Sequence, residues 1–282
     1  MEIKQVGVVG CGTMGGGIAL ICARTGYTTI VSESSDELLQ RGLGNIRAVL
    51  QRDVDRDRMT AEEMDTVLSR LSGTTDLSGF DACDIVVEAV VEDLAVKREV
   101  FAALDRVCGS EAILASNTSS LPVVEMAAAT SRPERVVGIH FFNPPAVMKL
   151  VEVVSSIATS EETVEAARGF AEALGKTPIR VKDQPGFIVN RLLVPYLLDA
   201  IRVFDAGVAT AEDVDLGITL GLNHPMGPLA LADLIGLDVV MAMAETLQRE
   251  LGEARHASPP LLRRMVAAGR LGRKTRRGFY EY

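Results

Sequence analysis

The chain of 282 residues is 48% hydrophobic, enough to fill a sizeable core in one large domain or two unequal ones. Its 38 acidic against 29 basic residues leave a formal charge of -9, which excludes an extended positive surface for nucleic acid. Cys11, Cys22, Cys83 and Cys108 are scattered without a Cys-x-x-Cys pair, so neither a disulfide framework nor a zinc or other metal centre is expected, and a reducing cytoplasm fits.

Residues 5–9 form a short apolar run, predicted as a strand, and Met14, Ile18, Ile21 and Cys22 recur behind it at helical spacing. Between them Gly10, Gly12 and Gly15 make Gly-x-Gly-x-x-Gly. In such a strand–turn–helix the first glycine turns the chain, the second lets backbone approach a pyrophosphate, and the third packs helix on strand. Gly16 and Gly17 read as close-packing residues of the helix start. The same stretch is the nearest approach to a signal peptide or membrane helix, but Glu2 and Lys4 cancel, and glycines interrupt a run that needs about 20 apolar residues to span a bilayer. Secretion and membrane insertion are not expected.

A second apolar run, 27–31, ends at Glu33, about 20 residues beyond the glycines, where a carboxylate accepts hydrogen bonds from an adenosine ribose. That favours NAD over NADP; without the glycines, a solvated loop acid would be the simpler reading. Residues 35–71 read as helical, with Leu38, Leu39, Ile46 and Leu50 on the apolar side. A buried strand at 84–90, a helix at 92–107 and a strand at 112–115 follow. "RVVGIHFF" and "KLVEVVSS" are two more strands, then come a helix at 161–174 and a last strand at 177–181. This alternation predicts an α/β domain with a doubly wound, mostly parallel sheet over residues 1–184. After "KDQPGF" no convincing strand follows until the last residues. Helical patterns at 188–204, 229–247 and 260–268, with a capping box from Thr210 to Asp213, predict an all-helical domain over 185–282.

The three histidines make the search for a general base short. His224 and His256 lie in proline-rich, loop-like contexts and read as solvated or turn-capping. His140 ends the run 136–139, at the carboxyl edge of a parallel strand, where ligands bind in such sheets. Glu152, inside "KLVEVV", needs a partner, because an unpaired carboxylate on a buried strand is expensive. Imidazole is one, since a carboxylate on one ring nitrogen fixes the tautomer and leaves the other to exchange a proton; a backbone amide or Lys149 is the alternative. Ser119, in "ASNTSSLP", stands on the same edge, as turn chemistry or in a hydrolase triad with His140 and Glu152. No Gly-x-Ser-x-Gly elbow supports a hydrolase, and a hydrolase needs no dinucleotide loop. Asn190, just past Pro185–Gly186, is placed to enter a cleft between domains.

Taken together, "GVVGCGTMGGGIA", "VVEAVVEDLAVK", "ASNTSSLP", "GIHFFNPPAVMKLVEVV", "PGFIVNRLL", "NHPMGPLALADLIGLD" and "GRKTRRGFYEY" closely resemble the L-3-hydroxyacyl-CoA dehydrogenase family, in its short bacterial 3-hydroxybutyryl-CoA dehydrogenase type. The resemblance spans nearly the whole chain. It implies a Rossmann-like NAD-binding domain and an oxidoreductase moving hydride between NAD and C3 of a (3S)-3-hydroxyacyl-CoA. It also implies His140 as catalytic base with Glu152 as partner, Ser119, Asn190 and Asn143 as polar substrate contacts, and Gly10, Gly12, Gly15, Glu33, Glu92 and Lys97 as cofactor positions. A homodimer through the helical domain is implied as well, and Met226, Leu229, Leu231, Leu234 and Leu237 are more apolar positions than a small domain easily buries.

The family's lysine-rich stretch that meets coenzyme A phosphates reads "QRDVDRDRM" here, leaving Arg52 and Arg56 as substitutes or as part of a solvated face. Arg276 replaces a more usual small residue. A 3-hydroxyadipyl-CoA dehydrogenase, a gulonate-type sugar-acid dehydrogenase and a non-catalytic cofactor-binding protein are the competing readings, and fatty-acid and butanoate metabolism use the same chemistry.

Overall fold

The computed structural model describes residues 2–282. The chain divides beside the Pro185–Gly186 break into two compact units, Met1–Asp183 and Gln184–Tyr282.

The first unit runs β1 (Gln5–Val9), α1 (Thr13–Thr25), β2 (Thr28–Ser32), α2 (Asp36–Val54), α3 (Ala61–Ser69), β3 (Leu71–Thr74), β4 (Ile85–Glu88), α4 (Leu94–Val107), β5 (Ile113–Ser116), α5 (Val123–Ala127), β6 (Val136–Phe141), β7 (Leu150–Ser155), α6 (Glu161–Ala173) and β8 (Thr177–Lys182). The eight strands form one sheet in the order β3-β2-β1-β4-β5-β6-β7-β8. All neighbours are parallel except β6 and β7. The chain runs outward from β1 through β2 to β3 and then crosses back to β4 on the other side of β1, so the winding reverses there, the place where open α/β sheets bind ligands. Val9 is in register with Ser32 and Glu88, and Glu88 with Ser116, so these strand ends line one edge. The runs of Val and Ile are buried because helices cover the sheet: Val6, Val8, Val31, Ile85, Val87, Ile113, Val137, Ile139, Val151 and Val153 share one core cluster with Ile18 and Ala19 of α1 and Phe170 of α6.

Residues 35–71 are not one helix. No glycine or proline marks the interruption, yet Asp57 takes a left-handed φ of 53°. A capping box then starts α3: Glu63 N–H donates to Thr60 Oγ1 (3.1 Å) and Thr60 N–H to Glu63 Oε2 (2.7 Å). The charged run "RDVDRD" offers no change of hydropathy to reveal the break. Strand β3 and helix α5 were not expected either; they have four and five residues, too few to display a period.

The second unit holds α7 (Val189–Asp205), α8 (Ala211–Gly221), α9 (Pro228–Ile235), α10 (Leu237–Leu251) and α11 (Pro260–Ala267). The expected capping pair starts α8, with Asp213 N–H on Thr210 Oγ1 at 3.1 Å. The pattern at 229–247 is two helices, because Gly236 with φ 105° turns the chain where α9 meets α10. Leu229 and Leu237, read as surplus apolar positions, are core residues beside Val194, Leu197, Ile201, Val240 and Leu262. His256 also departs from expectation: it is fully buried rather than solvated, because the turn 254–256 packs against α7 and α10. His224 is exposed, 3.3 Å from the Tyr196 hydroxyl. The C-terminal segment is stapled to α9 by Asp233, whose carboxylate accepts from Phe279 N–H and Tyr280 N–H, each at 3.0 Å.

Candidate active site

At the end of β1 the chain turns through Gly10 with φ +95°, where a Cβ would lie 2.7 Å from the Ala89 carbonyl oxygen. A Cβ on Gly15 would run into the Gly10 carbonyl oxygen, so α1 sits against the strand only because both positions lack side chains. Gly12 faces open space, and no side chain caps the helix it begins. The first-turn amides and helix dipole are therefore presented to an anion. Glu33 is clamped beside this turn: its Oε1 accepts from Cys11 N–H (2.7 Å) and its Oε2 from Ser34 N–H (3.0 Å). Burial, and then the Glu33 charge, pushes the Cys11 thiol up to about 11, so it stays protonated. A cavity of about 680 Å³ runs past Gly10, Gly12, Glu33 and the apolar side chains Leu77, Val90, Val91 and Val96. Pyrophosphate donors, a ribose acceptor and apolar walls for a flat base fit a dinucleotide.

On the same edge, β6 delivers His140 in direct register with Glu152 of the antiparallel β7. Cross-strand neighbours have Cβ atoms about 5 Å apart, and here the imidazole Nδ1 lies 2.7 Å from Glu152 Oε2. Glu152 is wholly buried and His140 nearly so. Of the partners open to Glu152 from the sequence, the imidazole is one it meets. The Phe142 ring packs on the imidazole with centroids 4.6 Å apart.

Ser119 lies in the loop after β5 and is held from below. Glu92 Oε1 accepts from Ser119 N–H (2.9 Å), Ser119 Oγ (3.2 Å) and Thr118 Oγ1 (2.7 Å). Burial works against the Glu92 carboxylate, but the Lys97 ammonium and the bonds from Thr118 and Ser119 outweigh it and keep its pKa below the usual range. Lys97, expected among the cofactor contacts, is 1% exposed, with Nζ 2.6 Å from Glu88 Oε1 and 3.2 Å from Glu92 Oε2. Its ammonium lies between these two carboxylates beneath the loop.

A groove of about 560 Å³ opens on the other side of the glycine turn, between α1, α2 and the 143–147 loop. Asn143 lines it; Arg52 and Arg56 do not. Both arginines are exposed at or beyond the end of α2, and Arg52 Nε reaches back to the Ala48 carbonyl (3.3 Å). The cation in the lining is Arg41, one of six α2 residues there with Leu38, Gly42, Asn45, Ile46 and Val49 at helical spacing; no sequence signal points to it. Pro145 packs against Gly17, where a Cβ would lie 2.9 Å from its Cγ. Lys176 Nζ ties the loop from behind through the Pro145 and Met148 carbonyls. In the second unit, Asn190 occupies the first turn of α7, nine-tenths buried.

A parallel sheet whose winding reverses beside an uncapped glycine turn is a dinucleotide-binding fold of the Rossmann type, and a buried imidazole–carboxylate pair on its ligand edge marks the class as nucleotide-dependent dehydrogenase. Residues 5–184 match the family model described as the NAD binding domain of 3-hydroxyacyl-CoA dehydrogenase, and residues 186–282 match that of its C-terminal domain. A 3-hydroxybutyryl-CoA dehydrogenase of Mycobacterium tuberculosis is 50% identical over 282 residues, with 99% of both chains covered. The crystal structure of M. tuberculosis FadB2 superposes with a TM-score of 0.97 at 50% identity and complete coverage of both chains. That of (S)-3-hydroxybutyryl-CoA dehydrogenase PaaH1 from Ralstonia eutropha gives 0.96 at 43% identity, over 100% of this chain and 99% of that one. The chain belongs to the 3-hydroxyacyl-CoA dehydrogenase family.

Proposed function

We propose that the protein is an NAD-dependent dehydrogenase interconverting (3S)-3-hydroxybutyryl-CoA and acetoacetyl-CoA. The observation that carries the chemistry is the buried His140–Glu152 pair at 2.7 Å on the ligand edge; the similarity to 3-hydroxybutyryl-CoA dehydrogenases at 50% and 43% identity supports the substrate.

When bound, NAD supplies the hydride acceptor for oxidation, and NADH the hydride for reduction. During oxidation the Nε2 of His140 takes the C3 hydroxyl proton as hydride leaves C3 and the carbonyl forms. Glu152, hydrogen-bonded to Nδ1, fixes the tautomer and stabilises the imidazolium. In reduction the imidazolium returns the proton to the oxygen. Gly10, Gly12 and Gly15 hold the pyrophosphate, and Glu33 receives the ribose hydroxyls. Ser119 hydrogen-bonds the reacting end of the substrate with Asn143 near it, and the Arg41-lined groove receives the acyl-CoA arm. The role of Asn190 rests on the family resemblance and is tested by Asn190→Ala, expected to lower kcat/KM about tenfold or more.

The deciding experiment follows loss of reduced-nicotinamide absorbance with acetoacetyl-CoA, comparing NADH with NADPH at equal concentration. Rapid oxidation of NADH alone is expected. Equal use of NADPH would overturn the role of Glu33, and no oxidation of either would overturn the substrate.

A homodimer formed through the helical unit is part of this reading. Leu192, Val208 and Leu220, on or beside its helices, are 69%, 72% and 77% exposed. A monomeric mass at micromolar concentration would contradict it. No helix among the described residues is long and apolar enough to cross a membrane, and four cysteines carried as buried free thiols support a reducing, cytoplasmic setting.

A further inference from the structure

Glu88 ends β4 with its side chain 0% exposed, in register with the ends of β1 and β5. Its Oε1 accepts from Lys97 Nζ (2.6 Å) and Val90 N–H (2.8 Å), and its Oε2 from Ser116 Oγ (2.7 Å). The Ser116 oxygen in turn accepts from Thr118 N–H at 3.1 Å. The Glu88 main-chain carbonyl takes Asn117 N–H (2.8 Å), and Asn117 Oδ1 takes the N–H of Phe141, the residue after His140, at 2.9 Å. One residue thus anchors both the loop that carries Ser119 and the strand end that carries His140. Through Lys97 it also anchors Glu92, which holds the Ser119 amide.

A buried ion pair gains little stability over apolar side chains of the same volume, because desolvation offsets the attraction. What this arrangement supplies is position. Ser116 Oγ, with its proton committed to Glu88, has its lone pairs aimed at the Thr118 amide, and the loop from 117 to 121 is pinned from inside the sheet.

We propose that Glu88 is a positioning residue for the dehydrogenase reaction: shielded from substrate and cofactor, it sets the Ser116–Ser120 loop and the Phe141 end of β6 in the arrangement the reaction needs. This rests on the reading under Proposed function.

Two variants separate position from stability. Ser116→Ala cuts the direct side-chain link between Glu88 and the loop without disturbing charge. The pair Glu88→Gln with Lys97→Met removes the carboxylate together with the buried ammonium that faces it. Thermal midpoint, NADH affinity by fluorescence titration, kcat, and hydrogen exchange at the 117–121 amides are read for each. Expected for both are faster exchange at Thr118 and Ser119 and a kcat lowered by about 10- to 100-fold. NADH affinity should stay within about threefold in Ser116→Ala. Wild-type kcat with wild-type exchange in Ser116→Ala overturns the proposal, as does a double variant whose kcat returns with its thermal midpoint. The exchange measurement needs no substrate, so a wild-type protein inactive on acetoacetyl-CoA but showing the exchange response would overturn the substrate reading alone.

Discussion

Replacing Glu152 with Gln keeps the shape of the side chain and one acceptor oxygen for His140 but removes the charge. The imidazolium formed during oxidation then loses its counter-ion in a place where water does not replace it, since Glu152 is 0% and His140 6% exposed. With charge centres about 4 Å apart and an effective dielectric of about 20, the lost attraction is about 4 kcal/mol. The retained hydrogen bond gives back about 1 kcal/mol. A net 3 kcal/mol corresponds to about a hundredfold in rate. The assay is steady-state kcat in both directions, with NADH affinity measured separately by fluorescence. Affinity should hold, because Glu152 is not among the residues lining the cavity beside the glycine turn. A kcat within about threefold of wild type would refute the charge-stabilisation argument, and parallel losses in kcat and NADH affinity would show a general disruption of the sheet instead.

Three further outcomes are expected. Lys176→Met frees the 145–148 loop from its tie and should raise KM for acetoacetyl-CoA about three- to tenfold with less effect on kcat; an unchanged KM would remove that loop from substrate binding. Arg276 holds a left-handed φ of 56°; relief of about 1–2 kcal/mol of strain, less the backbone entropy cost of glycine, leaves Arg276→Gly about 0.5–1 kcal/mol more stable in denaturant unfolding. Burial lowers the His256 pKa, with Arg255 adding to the effect, so below about pH 6.5 the unfolded chain takes up the proton before the folded one and stability falls with pH. In His256→Phe the loss of thermal midpoint between about pH 7 and 5.5 should shrink; an undiminished loss would place the acid sensitivity elsewhere.

The two acids of the sheet show what the sequence discloses. Glu152 stands out because a carboxylate among valines needs a partner, and the short supply of histidines names one. Register, which no spacing reveals, then brings the two side chains together. Glu88 sits in "DIVVEAVV" under the same constraint, but its side-chain partners come from α4 and β5, and nothing local identifies them. Glu33 is legible because the strand end and the glycines fix its place in the chain. Lys97 is not, since a lysine on an amphipathic helix looks solvated until the helix is laid on the sheet. The break at 55–60 is hidden because its residues are as polar and exposed as the helix faces beside them, and the buried His256 because polar sequence is read as exposed whereas packing of its turn on α7 and α10 decides.

The reversal at β7 has a consequence for how this chain can change. Because His140 and Glu152 face each other across adjacent strands, their distance is a property of the sheet and needs no ligand to establish it. A slip of one residue between β6 and β7 would send Glu152 to the opposite face, so maintaining the sheet also maintains the proton-transfer pair. Beyond Phe142, which packs on the imidazole, and Asn143, the 145–149 stretch is not held by that register. Its side chains along the groove can be exchanged while the pair behind them stays as it is, so the acids and bases of the reaction can be kept while the lip of the groove diversifies.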